Sequence, residues 1–174
     1  MKYSLCFLLL AGLASTLFAG DLPLLNPGFE DGLNGWIVAP GDSISVVVPE
    51  AARSSRMGLQ VNDQDSTVGS GVASAWFPAK AGKTYAIDFW SRIKSGDGVA
   101  VYLRFRDTKN HTLTSAQPKD EQLLTIPKGT TQWTPFRLSG VAPEGTAFVS
   151  IWVHSFSKNK VLVHFDDFVL SVSE

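Results

Sequence analysis

The sequence predicts an all-β fold, a jelly roll or similar β-sandwich made of two antiparallel sheets. Almost every segment of the 174-residue chain alternates apolar and polar side chains with a period of two, the pattern of strands that bury one face. Turn-forming residues, chiefly glycine and proline, separate these segments at short intervals. No stretch of more than about ten residues holds a regular helical period, which argues against a helical domain.

We expect nine strands, each bounded by residues that favour turns. The predicted strands are residues 43–48, 57–61, 70–77, 84–93, 99–106, 122–126, 132–138, 147–156 and 161–172. The turn signals between the later strands are Ala81-Gly82-Lys83, Ser95-Gly96-Asp97-Gly98, Pro127-Lys128-Gly129 and Pro143-Glu144-Gly145. Strands this short, at this spacing, are typical of a single sandwich domain.

Three central strands carry aliphatic residues on one face and aromatic or charged residues on the other. The first face, together with the last predicted strand, predicts a core that contains Tyr85, Ile87, Phe89, Val101, Leu103, Val149, Ile151 and Phe165. The opposite faces carry Asp88, Trp90 and Arg92 on the first strand, Tyr102 and Arg104 on the second, and Trp152 and His154 on the third. If the three strands share one sheet, these side chains form an aromatic platform edged by hydrogen-bonding groups. Sugar rings stack on such platforms while polar side chains bind their hydroxyls.

The alternative to an open platform is a covered one. Trp90 and Trp152 would then lie under the loop of residues 107–121, and Arg92 and Arg104 would be paired surface charges. The remaining tryptophans give weaker signals. Trp36 and Trp133 each begin or precede a predicted strand, and we expect both in the core.

The last predicted strand contains two adjacent aspartates, Asp166 and Asp167, in a segment that otherwise has the pattern of a buried strand. Its apolar positions are odd-numbered up to Phe165 and even-numbered from Phe168 onward, so the register slips by one residue at the aspartates. A β-bulge produces such a slip, and a carboxylate beside the unpaired carbonyls of a bulge suits a hard cation such as calcium. The alternative is a strand that ends at Asp166 and restarts after a kink.

The first nineteen residues predict a signal peptide. Lys2 precedes an apolar run from Leu5 to Phe18, and Ala19 is the expected cleavage position. We therefore expect a secreted, periplasmic or extracellular protein whose mature part, residues 20–174, is one domain. The only cysteine, Cys6, lies in the leader, so the mature domain would contain no disulfide. No other apolar run is long enough to predict a membrane span.

The charge balance excludes two classes of partner. The chain has 15 basic and 16 acidic residues, and removal of Lys2 with the leader would leave 14 and 16, a net charge of −2. Since no basic cluster is present, nucleic acid and anionic membranes are not expected as partners. We expect the protein to be a monomer.

Five segments taken in order resemble the CenC-type carbohydrate-binding modules, which are galactose-binding-domain-like jelly rolls. These segments are NPGFEDGLNGW (26–36), GLQV (58–61), PAKAGKTYAIDFWSRI (78–93), TTQWTPFRLSGVAPEGTAFVSIWV (130–153) and VHFDDFVL (163–170). The resemblance spans nearly the whole mature chain. It implies the jelly-roll fold and a ligand such as cellulose, xylan or a related glycan.

The resemblance also implies a structural calcium ion that joins the N-terminal strand to the C-terminal one. Its ligands would be Glu30 and Asp167, with Asp166 as the substitute for the second, completed by carbonyls from residues 54–57. The glycan sites of the family lie on a concave face or at a loop edge. Trp90, Tyr102 and Trp152 hold strand positions of that kind.

We expect a non-catalytic protein that binds a polysaccharide or oligosaccharide through its aromatic face. One alternative is an adhesive or envelope-structural jelly roll, and another is a polysaccharide lyase that would use His154, Tyr102 and Arg104. The three histidines of the chain show neither metal-binding spacing nor a nucleophile motif. The net charge favours neutral glycans, although Arg92 and Arg104 would admit a uronate.

Overall fold

The computed structural model describes residues 20–113 and 122–173. The expected signal peptide, residues 1–19, and residues 114–121, part of the loop that would cover the aromatic face in the alternative interpretation, lie outside the described residues. The strands are β1 (Gly20–Asp21), β2 (Trp36–Val38), β3 (Ser45–Val48), β4 (Gly58–Asp63), β5 (Gly71–Ser74), β6 (Phe77–Pro78), β7 (Thr84–Gly96), β8 (Val99–Arg106), β9 (Thr112–Leu113), β10 (Leu123–Thr125), β11 (Thr134–Val141), β12 (Phe148–Ser155) and β13 (Val161–Ser173).

These strands form two antiparallel sheets, which confirms the predicted jelly-roll sandwich. Sheet 1 has the order β11-β7-β13-β4-β3, with β1 paired to β13. Sheet 2 has the order β10-β8-β12-β5-β2, with β6 paired to β12 and β9 paired to β8. A 3₁₀ turn, Pro49–Ala51, follows β3. In the described part of the chain no helix has the length and apolar character to cross a membrane.

The core between the sheets is the one that the alternation predicts. All eight expected core residues are at most 3% exposed. Trp36 is also buried, and its ring centroid lies 5.3 Å from that of Phe168 and 4.8 Å from that of Phe29. The expectation for Trp133 is wrong, because this residue is only partly buried and lies outside the core cluster.

A bulge interrupts β13 at the aspartate pair. The strand continues from Val161 to Ser173, but its register against β7 shifts between Asp166 and Val169. Asp167 has a φ of 54°, which lies in the left-handed region and explains the local change of direction. Phe165 and Phe168 therefore both point into the core. This confirms the bulge and excludes a strand that ends at Asp166.

The predicted strand 70–77 is two short strands, β5 and β6, separated by Ala75 and Trp76. Ala75 donates its backbone N–H to the carbonyl of Gly35, outside the ladder of the sheet. The strand alternation stops there, so the position of Trp76 does not follow from its place in the sequence. The two-residue strands β1 and β9 and the three-residue β2 were also not predicted, because segments so short carry no periodic signal.

Candidate functional site

The expected aromatic platform is divided between two opposite faces of the molecule. Trp90 lies on β7 in sheet 1, whereas Tyr102 on β8 and Trp152 on β12 lie in sheet 2. The condition that the three strands share one sheet is therefore not met. Asp88 and Arg92 stay with Trp90 in sheet 1, and Arg104 and His154 lie in sheet 2 together with Tyr102 and Trp152.

The sheet 1 group is engaged in contacts within the protein. The guanidinium carbon of Arg53 lies 3.5 Å from the ring centroid of Trp90, so an arginine covers this tryptophan. Asp88 forms an ion pair with Arg137 on the neighbouring strand β11. Trp90 and Asp88 thus have structural partners, and the sequence offers no signal that Arg53 would be one of them.

Arg92 is held by three neighbours. Its Nη2 donates to the carbonyl of Glu50 at 2.9 Å, and its Nε donates to Nδ1 of His164 at 3.4 Å. Its guanidinium carbon lies 4.8 Å from the ring centroid of Trp133. These contacts tie the turn after β3 to the outer surface of sheet 1 and leave Arg92 in a structural role.

His164 is buried in this network as the neutral imidazole. Nδ1 accepts from Arg92, so Nε2 carries the proton and donates to Oε1 of Gln60 at 3.2 Å. Burial lowers the pKa of His164 to about 4, and the charges of Arg92 and Lys94 lower it further in the same direction. The imidazole is uncharged at neutral pH.

Sheet 2 presents a continuous row of side chains on its outer face, one from each of its five main strands. The pairing registers align them across the sheet in the order Ile37, Ala73, Trp152, Tyr102 and Leu123. The rings of Tyr102 and Trp152 are 4.9 Å apart between centroids, and the His154 ring stacks on Trp152 at 4.4 Å with an interplanar angle of 13°. The row places two partly buried aromatic rings side by side at the centre of the sheet.

A groove of about 430 Å³ runs beside Trp152 on this face. Its lining includes Gly71 and Ala73 on β5, and these small residues leave the space that a larger side chain would fill. A Cβ added to Gly71 would lie 2.8 Å from Nε1 of Trp152, so glycine is needed for the indole to lie in its present position. His154 is fixed by a 2.5 Å hydrogen bond from Nδ1 to the carbonyl of Ser70.

Two arginines extend the aromatic surface along β8. The guanidinium carbon of Arg104 lies 5.2 Å from the ring centroid of Trp76 and 5.0 Å from that of Trp152. The corresponding carbon of Arg106 lies 4.2 Å from Trp76 and 4.9 Å from Phe148. Cations and rings therefore alternate along the face. Burial lowers the pKa of Arg104 to about 10, and the neighbouring charge of Arg106 adds to this effect.

The site residues predicted from the sequence do not include Trp76, Arg106 and Phe148 of this face. Alternation places Arg106 and Phe148 outward with Arg104 and Trp152, but these strand ends are not part of the predicted platform. Trp76 follows the end of β5, where alternation gives no information. Its position depends on the path between β5 and β6.

The three acidic residues expected to bind calcium lie beside the loop of residues 53–57. Both oxygens of Glu30 and both oxygens of each aspartate accept hydrogen bonds. Glu30 Oε1 accepts from the backbone N–H groups of Arg56 and Met57, and its Oε2 accepts from Arg56 Nε. Hydrogen bonds from Ser55 and Met57 lower the pKa of Glu30 to about 2.

The two aspartates are bonded in the same manner. Asp166 accepts from the backbone N–H groups of Arg53 and Asp167, at 2.7 and 2.8 Å. Asp167 accepts from Arg53 Nη1 and Ser54 Oγ, both at 2.6 Å. Burial raises the pKa of the Asp166 carboxyl.

A calcium ion at these residues would have to displace the donors that now bond the carboxylates. The loop presents N–H donors to Glu30 where the resemblance implies carbonyl ligands, and arginines neutralise Glu30 and Asp167. Among residues 20–113 and 122–173, no group of three or more histidine, cysteine or acidic residues is placed to hold a metal ion.

Comparison with known proteins agrees with the architecture. A family model described as a carbohydrate binding domain matches residues 23–158. A structure described as Family 16 Carbohydrate Binding Module-2 has a TM-score of 0.61 and 18% identity, over 84% of this chain and 97% of that one. The galactotriose complex of TmCBM61 has a TM-score of 0.54 and 20% identity, over 84% and 95% of the two chains.

A third similar structure is the CBM22-1 xylan-binding domain of Xyn10C from Paenibacillus barcinonensis. It has a TM-score of 0.56 and 14% identity, and the match covers 84% of this chain and 92% of that one. No curated protein matches the sequence. At these identities the structural likeness concerns the fold alone.

Proposed function

The chain belongs to the carbohydrate binding domain family, whose model matches most of its length, and on that basis we propose that it binds a polysaccharide or oligosaccharide on the outer face of sheet 2. The observation that carries this proposal is the pair of aligned rings, Tyr102 and Trp152, beside the groove floored by Gly71 and Ala73. Pyranose rings stack through their C–H faces on such aromatic surfaces.

The polar groups at the rim of the groove suit the hydroxyls of a sugar. His154 keeps Nδ1 on the Ser70 carbonyl, so its orientation is fixed before any ligand arrives. Arg104 donates from Nη2 to Ser150 Oγ at 3.2 Å and lines the groove. Preorganised groups of this kind lose little entropy on binding, which favours recognition of a flexible chain.

We propose that the protein is non-catalytic. A lyase would need a base near the substrate, and burial raises the pKa of the Tyr102 hydroxyl, which makes its phenolate harder to form. His154 is 6.3 Å from Tyr102 between ring centroids, and the partner of its Nδ1 is a backbone carbonyl and not a carboxylate that would strengthen Nε2 as a base. Neither residue is arranged as an activated base. We also propose export through the leader at residues 1–19 and a monomeric state.

The test of the proposed function is a binding screen with matched variants. The probes are soluble β-1,4-galactan, xylan and β-glucan in affinity electrophoresis, since two similar structures are described with galactotriose and as xylan-binding. Trp152→Ala should weaken binding about tenfold, because a stacked ring contributes on the order of 1 kcal/mol or more. Trp90→Ala removes the same side chain from sheet 1 and should leave binding unchanged.

The opposite results have distinct meanings. Binding lost in Trp90→Ala and kept in Trp152→Ala would place the site on sheet 1 and overturn the assignment. Absence of binding to every glycan would favour the adhesive or structural alternative. Release of an unsaturated product that absorbs ultraviolet light would show a lyase.

Calcium stays a separate proposal. The family resemblance implies it, but binding at Glu30 and Asp167 would require Arg53 and Arg56 to leave the two carboxylates. An ion that binds only the folded state raises the melting midpoint by mass action. A melting midpoint that is higher in calcium than in chelator for the wild type, but not for Asp167→Asn, would support calcium binding at this site. Equal midpoints in calcium and chelator would leave the arginine pairs as the cations of this site.

A further inference from the structure

Arg104 and Arg106 are two adjacent guanidinium groups on one face without a negative partner in the described part of the chain. Of the other four arginines, three pair with carboxylates, at Asp167, Glu30 and Asp88, and Arg92 donates to a carbonyl. From this contrast we infer that the glycan bound on sheet 2 is acidic and that Arg104 and Arg106 bind the carboxylate of a uronic acid residue. This inference rests on the proposed function and specifies its ligand class.

The two arginines have N–H donors that no acceptor among the described residues of the protein satisfies. The Nε atoms of Arg104 and Arg106 are both buried and have no hydrogen-bond partner. A buried donor without a partner in the protein is costly, and an ion or water that supplies the acceptor is one explanation of such a group. The contact of Arg104 with Ser150 uses Nη2 and leaves its Nε unsatisfied.

The shape of a carboxylate matches what these donors offer. A guanidinium presents its N–H groups in a planar fork, and a carboxylate accepts two of them in parallel. Arg104 and Arg106 are two residues apart on β8, so their side chains leave the same face of the strand. Two forks side by side provide more donors than one neutral hydroxyl can use.

The rings around the arginines hold them for this role. Trp76 lies between the two guanidinium groups, and Trp152 and Phe148 lie at the two ends of the series. Cation–π contacts fix the planes of the guanidinium groups and keep the charges together despite their repulsion. The same rings can stack on the sugar that carries the carboxylate, so charge and stacking act on one residue of the glycan.

The local charge changes the expectation drawn from the whole chain. The net charge of −2 expected for the mature part favours neutral glycans only if the charges are evenly spread. The acid that follows Arg106 in the chain, Asp107, is bonded to the His111 side chain and to the backbone of Lys109. Asp42, which lies outside the groove lining, accepts from the backbone N–H of Gly71. Neither carboxylate neutralises the arginine pair.

The experiment compares each acidic glycan with its own neutral form. Polygalacturonate, alginate and glucuronoxylan are titrated by calorimetry, each beside its fully methyl-esterified counterpart, so the two members of a pair share one backbone and differ in a charged carboxylate against a neutral methyl ester. We expect at least one acid form to bind about tenfold or more tightly than its ester, since charge-assisted hydrogen bonds are stronger than neutral ones. Added salt should reduce the preference.

Arginine variants assign the preference to the two side chains. Arg104→Gln and Arg106→Gln should each bring the affinity for the acid close to that for the ester. Arg137→Gln removes the same charge from sheet 1 and should retain the preference. Arg104→Lys keeps the positive charge but lacks the planar fork of N–H donors, so this variant should retain part of the preference for the acid. Melting midpoints show which variants are folded. The ratio of the affinities for acid and ester is interpreted only for those variants.

The outcomes separate this inference from the proposed function. Suppose the wild type binds acid and ester with equal affinity and Trp152→Ala loses binding to both. This result would refute the uronate assignment but would still support glycan binding on sheet 2. A preference for acid that survives both glutamine variants would also refute it, as would tighter binding of dextran sulfate than of every uronate. Absence of binding to all acidic and neutral glycans would refute the proposed function itself.

Discussion

Acidification is expected to destabilise this fold through His164 before the carboxylates respond. The imidazole is 3% exposed and neutral, with Arg92 and Gln60 as its hydrogen-bond partners. Its pKa is about 4 in the folded state, whereas an unfolded histidine has a pKa of about 6.5. Between these two pH values His164 is protonated in the unfolded state but not in the folded state. Stability is therefore highest above the unfolded pKa and falls as the pH drops from about 6.5 to about 4.

The size of the effect follows from the two pKa values. A difference of one pKa unit corresponds to about 1.4 kcal/mol, so a folded pKa of about 4 gives an upper bound of about 3 kcal/mol for the free energy of unfolding lost. Glu30 acts in another window, because its folded pKa of about 2 affects stability only below its ordinary value. Asp166 acts in the opposite sense, since its raised pKa favours the folded state on acidification.

The assay is urea unfolding followed by tryptophan fluorescence at several pH values between neutrality and about pH 4. His164→Gln should flatten the dependence on pH, because glutamine keeps hydrogen-bonding groups and does not titrate. His111→Gln is the matched control, since it makes the same substitution at an exposed histidine outside this network. Equal pH dependence of the wild type and His164→Gln would refute the proposed burial of a neutral imidazole.

Two further changes test the core and the groove. Phe168→Ala should lower the free energy of unfolding, measured in urea, by about 3–5 kcal/mol. The reason is that Phe168 is buried after the bulge and its ring packs against those of Phe29, Trp36 and Phe89. A loss below about 1 kcal/mol would contradict this packing. Gly71→Ala should lower glycan affinity severalfold in the electrophoretic screen, because the added methyl group would displace the Trp152 indole. Unchanged affinity would show that binding does not depend on the position of the indole.

Part of the candidate site could be read from the sequence. The outward positions of Tyr102, Arg104, Trp152 and His154 follow from alternation, because each strand buries one face and exposes the other. Trp76 could not be found in this way, since it lies after the end of β5 and reaches the arginines through an irregular segment. The ion pairs of Glu30 and Asp167 with loop arginines were equally hidden, because the partners are far apart in the chain.

The sequence by itself determined the sandwich class, the core face of each central strand and the bulge at the aspartate pair. These features depend on neighbouring residues, whose alternation records which side chains are buried. Only the tertiary structure decided which strands share a sheet. Strand pairing joins distant segments, and local alternation carries no information about the partner. That pairing put Trp90 under Arg53 on sheet 1 and placed Trp152 on sheet 2 beside Arg104, which has no carboxylate partner among the described residues.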